Sequence, residues 1–546
     1  MLLLSQYNKF RFILTKSMLR QVDWKIFLFL VLFLNVKLWI KILALIIMYT
    51  MRLNFRFGFR WKSSRLPPFY LAVMLITMIN WIGYGGYSHA QYGLVLITGL
   101  LFWAFCILAI HQITLSVEHS STTVLHNTLL LFFILNMIVS LSNMLTIILE
   151  TGTWNPYQYQ GLFQKYFIGT GDYIKGLSFD TSTTNALINA FGVVYFLSRK
   201  LILCTVCCMI TLLLAGSNLA NILLVSVFIF SFIFQSDRDQ KSLIVVCLLL
   251  LIIFLGRVSP QNDHYFFSAT KTMLNIPDDK MLADLSPAKE NFGSFSTEQK
   301  KTLIAAAYLD SAKSSWAILN KSKDLPNYSW VRPVIPQPNI NRKEYQRLLD
   351  TTTLQRELMH FVETHYNDTN LFIKNMDVLK LPGKIIAMRE TIEFLKNHPS
   401  RIITGNGLGN FSSKLAFRVT GLNIAGKYPA GHAYINPYFM ENQLRLYLYY
   451  FIRQKDAHSI IHTPDSVINQ LSGEYGLAGI FCFLFFYLGW FTIKVKKTSY
   501  SASLLMLMTG AFFSGYWFEQ LSLVPFFELL MLMEMKLNKN IISDKK

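Results

Sequence analysis

Charge is scarce in this chain. Only 15% of its 546 residues are Asp, Glu, Lys or Arg, against 53% hydrophobic residues and a mean hydropathy of +0.36. A soluble fold could not hide so many continuous apolar runs, so the composition is that of an integral membrane protein. Cysteine is equally sparse. The six thiols, Cys106, Cys204, Cys207, Cys208, Cys247 and Cys482, all fall in apolar segments. That placement makes them packing residues and excludes a disulfide frame or a cysteine metal site; Cys204 and Cys207 have redox-motif spacing, but inside an apolar run. The first apolar run lacks a small-residue cleavage site, so no removable leader is expected. No internal repeat is visible. The net charge of +20 raises nucleic acid as a partner, but the basic residues do not form a binding face.

They cluster instead in short linkers beside apolar segments: Lys9, Arg11, Lys16 and Arg20; Arg52, Arg56, Arg60, Lys62 and Arg65; Arg199 and Lys200; Lys494, Lys496 and Lys497; Lys545 and Lys546. This is the positive-inside pattern, and it also suits anionic headgroups. Ile26 to Thr50 is flanked by basic residues on both sides, which predicts two short spans or a re-entrant pair rather than one crossing. Further spans are expected at Pro68–Ile82, Tyr92–Thr114, Asn127–Leu149, Thr183–Leu197, Leu201–Ala215, Leu219–Phe234, Ser242–Gly256, Glu474–Val495, Leu504–Tyr516 and Leu521–Met535. The fold class is therefore an all-α polytopic membrane protein of about 12 transmembrane helices with one large, mainly helical periplasmic loop domain. Both termini and every basic linker face the cytoplasm, and segments 84–91, 150–182 and 257–470 face outward. The expected organisation is an N-terminal bundle at 1–256, the loop domain at 257–470, and C-terminal helices with a short basic tail at 471–546. The spans are expected to be almost free of buried charge.

Within the loop, Thr297–Lys321, Arg342–His365 and Lys384–Asn397 carry helical patterns, and Ser329–Asn341 is proline-punctuated. Pro399 ends the last helix. Leu444–Ile452 is aromatic and amphipathic, suited to lying on the membrane surface.

Four constellations carry polar chemistry. Gly383-Lys384 precedes Pro399 and then Gly405-Asn-Gly407-Leu-Gly409-Asn-Phe411, whose alternating glycines permit a tight backbone turn. An ordinary loop is the competing reading; a nucleotide fingerprint is excluded because no strand–turn–helix surrounds it. His462-Thr-Pro-Asp465 lies shortly before Glu474-Tyr-Gly476, and either shares one face of a turn or caps the following helix through Thr463 or Asp465, with Pro464 in its first turn. Asp172-Tyr-Ile-Lys175-Gly176 through Asp180 occupies the second outward loop. Gly256-Arg257 stands where the chain leaves the membrane. Cations on the outward side run against the charge rule; phosphate contact and headgroup contact both explain them.

Taken together the motifs resemble the O-antigen ligase/polymerase superfamily of polytopic membrane glycosyltransferases. The family's order of Gly-Arg, helix, Pro, Gly-x-Gly-x-Gly-x-Phe and Glu-x-Gly-x-x-Gly is matched by Gly383-Lys384, Pro399, Gly405 to Phe411, and Glu474, Gly476 and Gly479. Lys384 and Lys175 stand where the family usually has Arg, and Asp465 stands at the place of its usual His, with His462 three residues earlier. The resemblance implies a GT-C-like fold in the bacterial inner (cytoplasmic) membrane. It implies transfer of a glycan from undecaprenyl diphosphate to an acceptor hydroxyl of lipid A–core, protein or another glycan, with no cofactor and no metal. A diphosphate leaving group asks for cationic stabilisation, for which Lys384, Arg389, Lys175 and Arg257 are the candidates, and Arg332, Arg342, Arg347 and Arg418 are further cations. The acceptor asks for a base: His462 first, with Asp465 as its orienting partner or as the base itself. Gly405, Gly407, Gly409, Glu474 and Gly476 are expected to shape the loop. Ligase and polymerase share these motifs. A flippase or transporter is the rival class, and predicts charged residues buried in mid-span.

Overall fold

Every regular element among the described residues of the computed structural model is helical. The structure describes residues 19–59, 64–152, 154–158, 174–259, 382–422, 426–451, 463–495 and 500–543. His462, Asp172 and the patterns expected at 297–321, 329–341 and 342–365 lie outside these residues.

The expected pair at Ile26 to Thr50 is two packed helices, α1 (Trp24–Phe33) and α2 (Leu38–Met51). Asp23 starts α1 by accepting hydrogen bonds from the amides of Lys25 and Ile26. Then come α3 (Phe69–Gly83), α4 (Ala90–His119), α5 (Thr122–Thr151), α6 (Ser182–Ser198), α7 (Ile202–Leu214), α8 (Asn218–Phe234) and α9 (Arg238–Ile253). The loop region supplies α10 (Gly383–Asn397), α11 (Lys414–Arg418), α12 (Pro437–Asn442) and α13 (Leu444–Phe451). The chain returns through α14 (Val467–Cys482), continued by a π segment at Phe483–Leu488 into α15 (Gly489–Lys494), and ends in α16 (Ser501–Phe512), α17 (Trp517–Gln520) and α18 (Leu523–Ser543). A helix thus occupies each predicted apolar segment. Four stretches, Ala90–His119, Thr122–Glu150, Arg238–Val258 and Val467–Lys494, are long and apolar enough to cross a membrane, with shorter apolar helices beside them. The outer surface carries the exposed Leu75, Ile97, Leu149, Ile233 and Ile252, which suit lipid contact.

The core is aromatic. Phe69 packs against Trp103, Tyr487 and Phe518 with ring centroids 5.3–5.7 Å apart, joining α3, α4, the π segment and α17. Helix α6 is buried from Thr184 to Leu197 between α7, α8, α16 and α18.

At one end of the bundle the basic linkers meet: Arg65 pairs with Glu118, Arg199 with Glu534 and Lys200 with Asp237. Lys536 donates to the carbonyls of Val117 and Ser120 there. At the other end the α3–α4 link and segment 174–180 meet residues 400–438 and 516–522.

Three expectations need correction. The interior is not nearly free of charge. Lys41 Nζ is buried, donating to Phe33 O at 2.7 Å and Ser522 Oγ at 3.1 Å, and Ser522 Oγ donates to Asp180 Oδ2 at 3.0 Å. Glu528 is buried and accepts from the hydroxyls of Tyr70 and Tyr487. Each group is held by polar partners, which is how a charge-bearing side chain persists in an apolar interior. Second, α13 turns part of its apolar face into the protein. Leu444, Leu446 and Tyr447 are buried, with Tyr447 stacked on Phe417 at 4.8 Å. Third, the last long span starts at Val467 rather than Glu474.

Candidate functional site

Helix α14 is broken where its sequence demands it. Gly476 has φ 63° and ψ −157°, a backbone region essentially confined to glycine. The break turns the carbonyls of Gly473 and Glu474 and the amides of Leu477 and Ala478 away from the helix. The segment after Pro399 takes up all four. Asn406 N and Gly407 N donate to the carbonyls of Gly473 and Glu474, and Leu477 N and Ala478 N donate to those of Ile402 and Ile403, each at 2.9 Å. Irregular backbone at membrane depth is tolerated only where protein satisfies it, and this pairing does so. The approach leaves no room for side chains. A Cβ on Gly476 would lie 2.6 Å from Gly405 N and the Ile402 carbonyl, and one on Gly405 would lie 2.4 Å from the Glu474 carbonyl carbon. The two glycine motifs are therefore one backbone-bonded unit.

Helices α3 and α4 clamp that unit. Asn80 Nδ2 donates to Thr404 O at 2.6 Å, Tyr84 Oη to Ser400 O at 2.9 Å and Tyr92 Oη to Leu408 O at 2.9 Å. Beneath the loop the buried Glu474 carboxylate faces the amides of Gly409, Phe411 and Ser412 and the hydroxyl of Ser413; Phe411 N lies 3.4 Å from Oε1. Glu519, on α17, accepts from Leu415 N at 3.0 Å and Gln470 Nε2 at 2.7 Å, within the electrostatic reach of Glu474 and Asp465. Three carboxylates thus gather at the mouth of α14.

Lys384 faces them. Helices α10 and α14 run alongside each other, Thr391 Oγ1 donating to Asn469 Oδ1 at 2.5 Å, so the first turn of α10 lies beside the start of α14. Lys384 Nζ donates to the Asp465 backbone carbonyl at 2.5 Å. Burial of the ammonium lowers its pKa from 10.5 to about 8, the Asp465 carboxylate opposing the shift. The side chain keeps some surface open, so the cation is desolvated without being sealed. Pro382 gives the N-terminus of α10 no side-chain cap, and its partial positive charge adds to that of Lys384.

The capping expectation is corrected. Ser466 caps α14, accepting from Asn469 N at 3.4 Å, while Thr463 Oγ1 accepts from Asp465 N in a local turn and Pro464 precedes the helix. The Asp465 carboxylate therefore has no capping duty.

Of the proposed cations, only Lys384 is at this cluster. Arg389 Nε pairs with Glu393 Oε1 at 2.8 Å on the same helix. Lys175 stands at the Gly176–Ser178 turn, which is seated on α5 and α6 through Leu177 N and Asn136 Oδ1 at 2.8 Å. Arg257 lies in the π segment after α9, where Asn155 Nδ2 donates to Val258 O at 2.9 Å.

Sequence reasoning missed a second feature. A cleft of about 160 Å³ opens on the other side of the glycine loop, with Asn80, Tyr84, Tyr92, Arg401, Asn410 and Tyr434 in its walls. Asn406 and Asn410 sat inside the glycine motif, but only the glycines drew attention; Asn80, Tyr84 and Tyr92 bracket the short outward link and were legible there as polar and aromatic residues at a helix mouth.

Compared with known proteins, the chain matches no family model, no curated protein and no solved structure.

Proposed function

We propose that this chain is a membrane glycosyltransferase that moves a glycan from a polyprenyl-diphosphate carrier to an acceptor hydroxyl at the outer face of a bacterial inner membrane, as in surface polysaccharide assembly. The observation that carries the reading is the meeting of Lys384 with Asp465 beside the paired glycine motifs: a desolvated cation and a carboxylate with no capping role stand together at a helix mouth.

In the proposed step the acceptor oxygen attacks the anomeric carbon as the bond from that carbon to the diphosphate oxygen breaks. The diphosphate leaves with the bonding electrons, and the acceptor proton passes to His462 or Asp465. Lys384 and the open amides of α10 stabilise the charge that builds on the leaving oxygen, which needs a cation more than a proton. Arg389, Lys175 and Arg257 remain further candidates for the diphosphate.

The test is glycan profiling of a strain carrying His462→Ala or Lys384→Met. Intact carrier-linked glycan should accumulate; unchanged transfer overturns the assignment. In a deletion strain, loss of all long glycan from the final acceptor with normal carrier-linked chains marks a ligase, and single repeat units on the acceptor mark a polymerase.

A transporter reading has one observation in its favour, the buried Lys41–Ser522–Asp180 chain. It predicts that Lys41→Met stops glycan export while purified protein shows no transfer.

A further inference from the structure

The cleft beside the glycine loop has an unusual lining. Among the described residues its walls carry amide, phenol, imidazole and guanidinium groups, with Pro437 and two glycines, and no aliphatic side chain and no carboxylate. Such a surface does not suit an acyl chain. Asn80 and Asn410 are 3% and 8% exposed, and the Oδ1 of each accepts no hydrogen bond. Their orientation is fixed. Asn80 Nδ2 is committed to the carbonyls of Thr404 and Glu474, and Asn410 Nδ2 to that of Asn406, so the unpartnered atoms are the oxygens. Both oxygens are sealed behind the wall of the cleft, so these amides fix the shape of the wall rather than offering acceptors to a ligand.

Arg401 supplies the charge. Its guanidinium lies over the Tyr84 ring, 3.2 Å from the centroid, stacked and partly desolvated. The charged and ring groups it senses are tyrosines, Tyr84, Tyr438 and Tyr434, and not a carboxylate. A planar fork held in place beside a polar cleft, with no acidic partner among the described residues, is suited to an incoming anion. Tyr92 and Tyr434, with centroids 5.2 Å apart, add aromatic faces of the kind that pack against the C–H face of a sugar. The volume, well below the roughly 300–1,000 Å³ of a drug-sized pocket, fits one small ring.

We propose that this cleft is a saccharide subsite that holds one sugar ring bearing an anionic group, the ring packing beside Tyr92 and Tyr434 and Arg401 pairing with its carboxylate or phosphate. The inference rests on the glycosyl-transfer reading for its role. It places a glycan unit across the loop from Lys384, so that substrate length is gauged at a point removed from the leaving group.

The experiment is saturation-transfer NMR on the full-length protein in detergent, with glucuronate, glucose 1-phosphate and glucose as probes. Binding of either anionic sugar at least about tenfold tighter than glucose, lost in Arg401→Gln, is the expected result. The two anionic probes separate a carboxylate from a phosphate. Equal binding of all three, binding of none, or an anion preference that survives Arg401→Gln overturns the proposal. Should Arg401→Gln not fold, Arg401→Lys serves instead: it keeps the charge but loses the fork, and an unchanged preference there overturns the proposal equally. Binding is read without turnover. Loss of transfer in Lys384→Met with sugar binding intact keeps the two claims apart, as does normal transfer with no sugar bound.

Discussion

Lys384 sits in a conflict that makes its behaviour predictable. Burial disfavours its charge, and the Asp465 carbonyl and carboxylate favour it, leaving the proton to depart near pH 8 instead of 10.5. In the unfolded chain the ammonium keeps its proton up to about 10.5. Between these values the unfolded state binds more protons, so the fold gains stability as pH rises through this window. The cation needed by the leaving group disappears over the same window. Glycan transfer is therefore expected to decline above about pH 8 while the unfolding midpoint holds or rises, read by a radiolabelled transfer assay beside a thermal melt; a parallel decline of both would show that lost folding, not lost charge, sets the pH limit. Lys384→Met should reduce turnover on the order of 100-fold, the size typical of one lost transition-state donor, and Lys384→Arg should retain most of it, since the guanidinium pairs a diphosphate bidentately. Arg389→Ala is the contrast. Its pair with Glu393 is a half-exposed contact of a single helix, so the expected change in stability is below about 0.5 kcal/mol and turnover should stay within a few-fold.

At the scale of elements, the pairing of the 402–407 segment with the break in α14 depends on two glycines. Gly476→Ala would place a Cβ 2.6 Å from three backbone atoms in a conformation that only glycine adopts comfortably, and Gly405→Ala would do the same against the Glu474 backbone. Each should lower the unfolding free energy by about 3 kcal/mol or abolish folding. Gly431→Ala, where a Cβ meets nothing, should melt like the unaltered protein in the same fluorescence-detected thermal scan. The glycines themselves were legible in the sequence as turn formers. Their mutual docking was not, because hydrogen bonds between distant backbone atoms leave no mark on side-chain identity. Helix α10 was read to within one residue because Ile385, Met388, Ile392 and Leu395 repeat at helical spacing. The cap of α14 was misplaced by three residues at Thr463 or one at Asp465: Thr463, Asp465 and Ser466 all carry cap-forming oxygens, and only the fold selects Ser466. The Arg389–Glu393 pair is written in the sequence at i,i+4 spacing on one helix.

For the whole molecule, the paired helices at 24–51 follow from basic residues on both flanks together with the placing of the later basic linkers, a constraint carried by where the charges stand along the chain. Lys41 visibly interrupts its apolar run in the sequence, whereas Glu528 is hidden because hydropathy averages over a span; only packing shows that Ser522, Asp180, Tyr70 and Tyr487 hold them. The two ends of the bundle differ in charge. One gathers the pairs Arg65–Glu118, Arg199–Glu534 and Lys200–Asp237, and the other holds Lys384, Arg401 and the cleft. If the positive-inside rule governs insertion, the first end is cytoplasmic and the glycan meets the second. Tyr87, exposed in the α3–α4 link, and Arg238, exposed at the start of α9, mark the two ends. The native thiols lie within apolar segments, four of them buried, and are expected to react slowly with polar reagents. A membrane-impermeant maleimide applied to spheroplasts should therefore label Tyr87→Cys at once and Arg238→Cys only after permeabilisation. The opposite order would put the Lys384 cluster on the cytoplasmic side, where the proposed acceptor is absent, and the transfer reaction would have to be abandoned along with the topology.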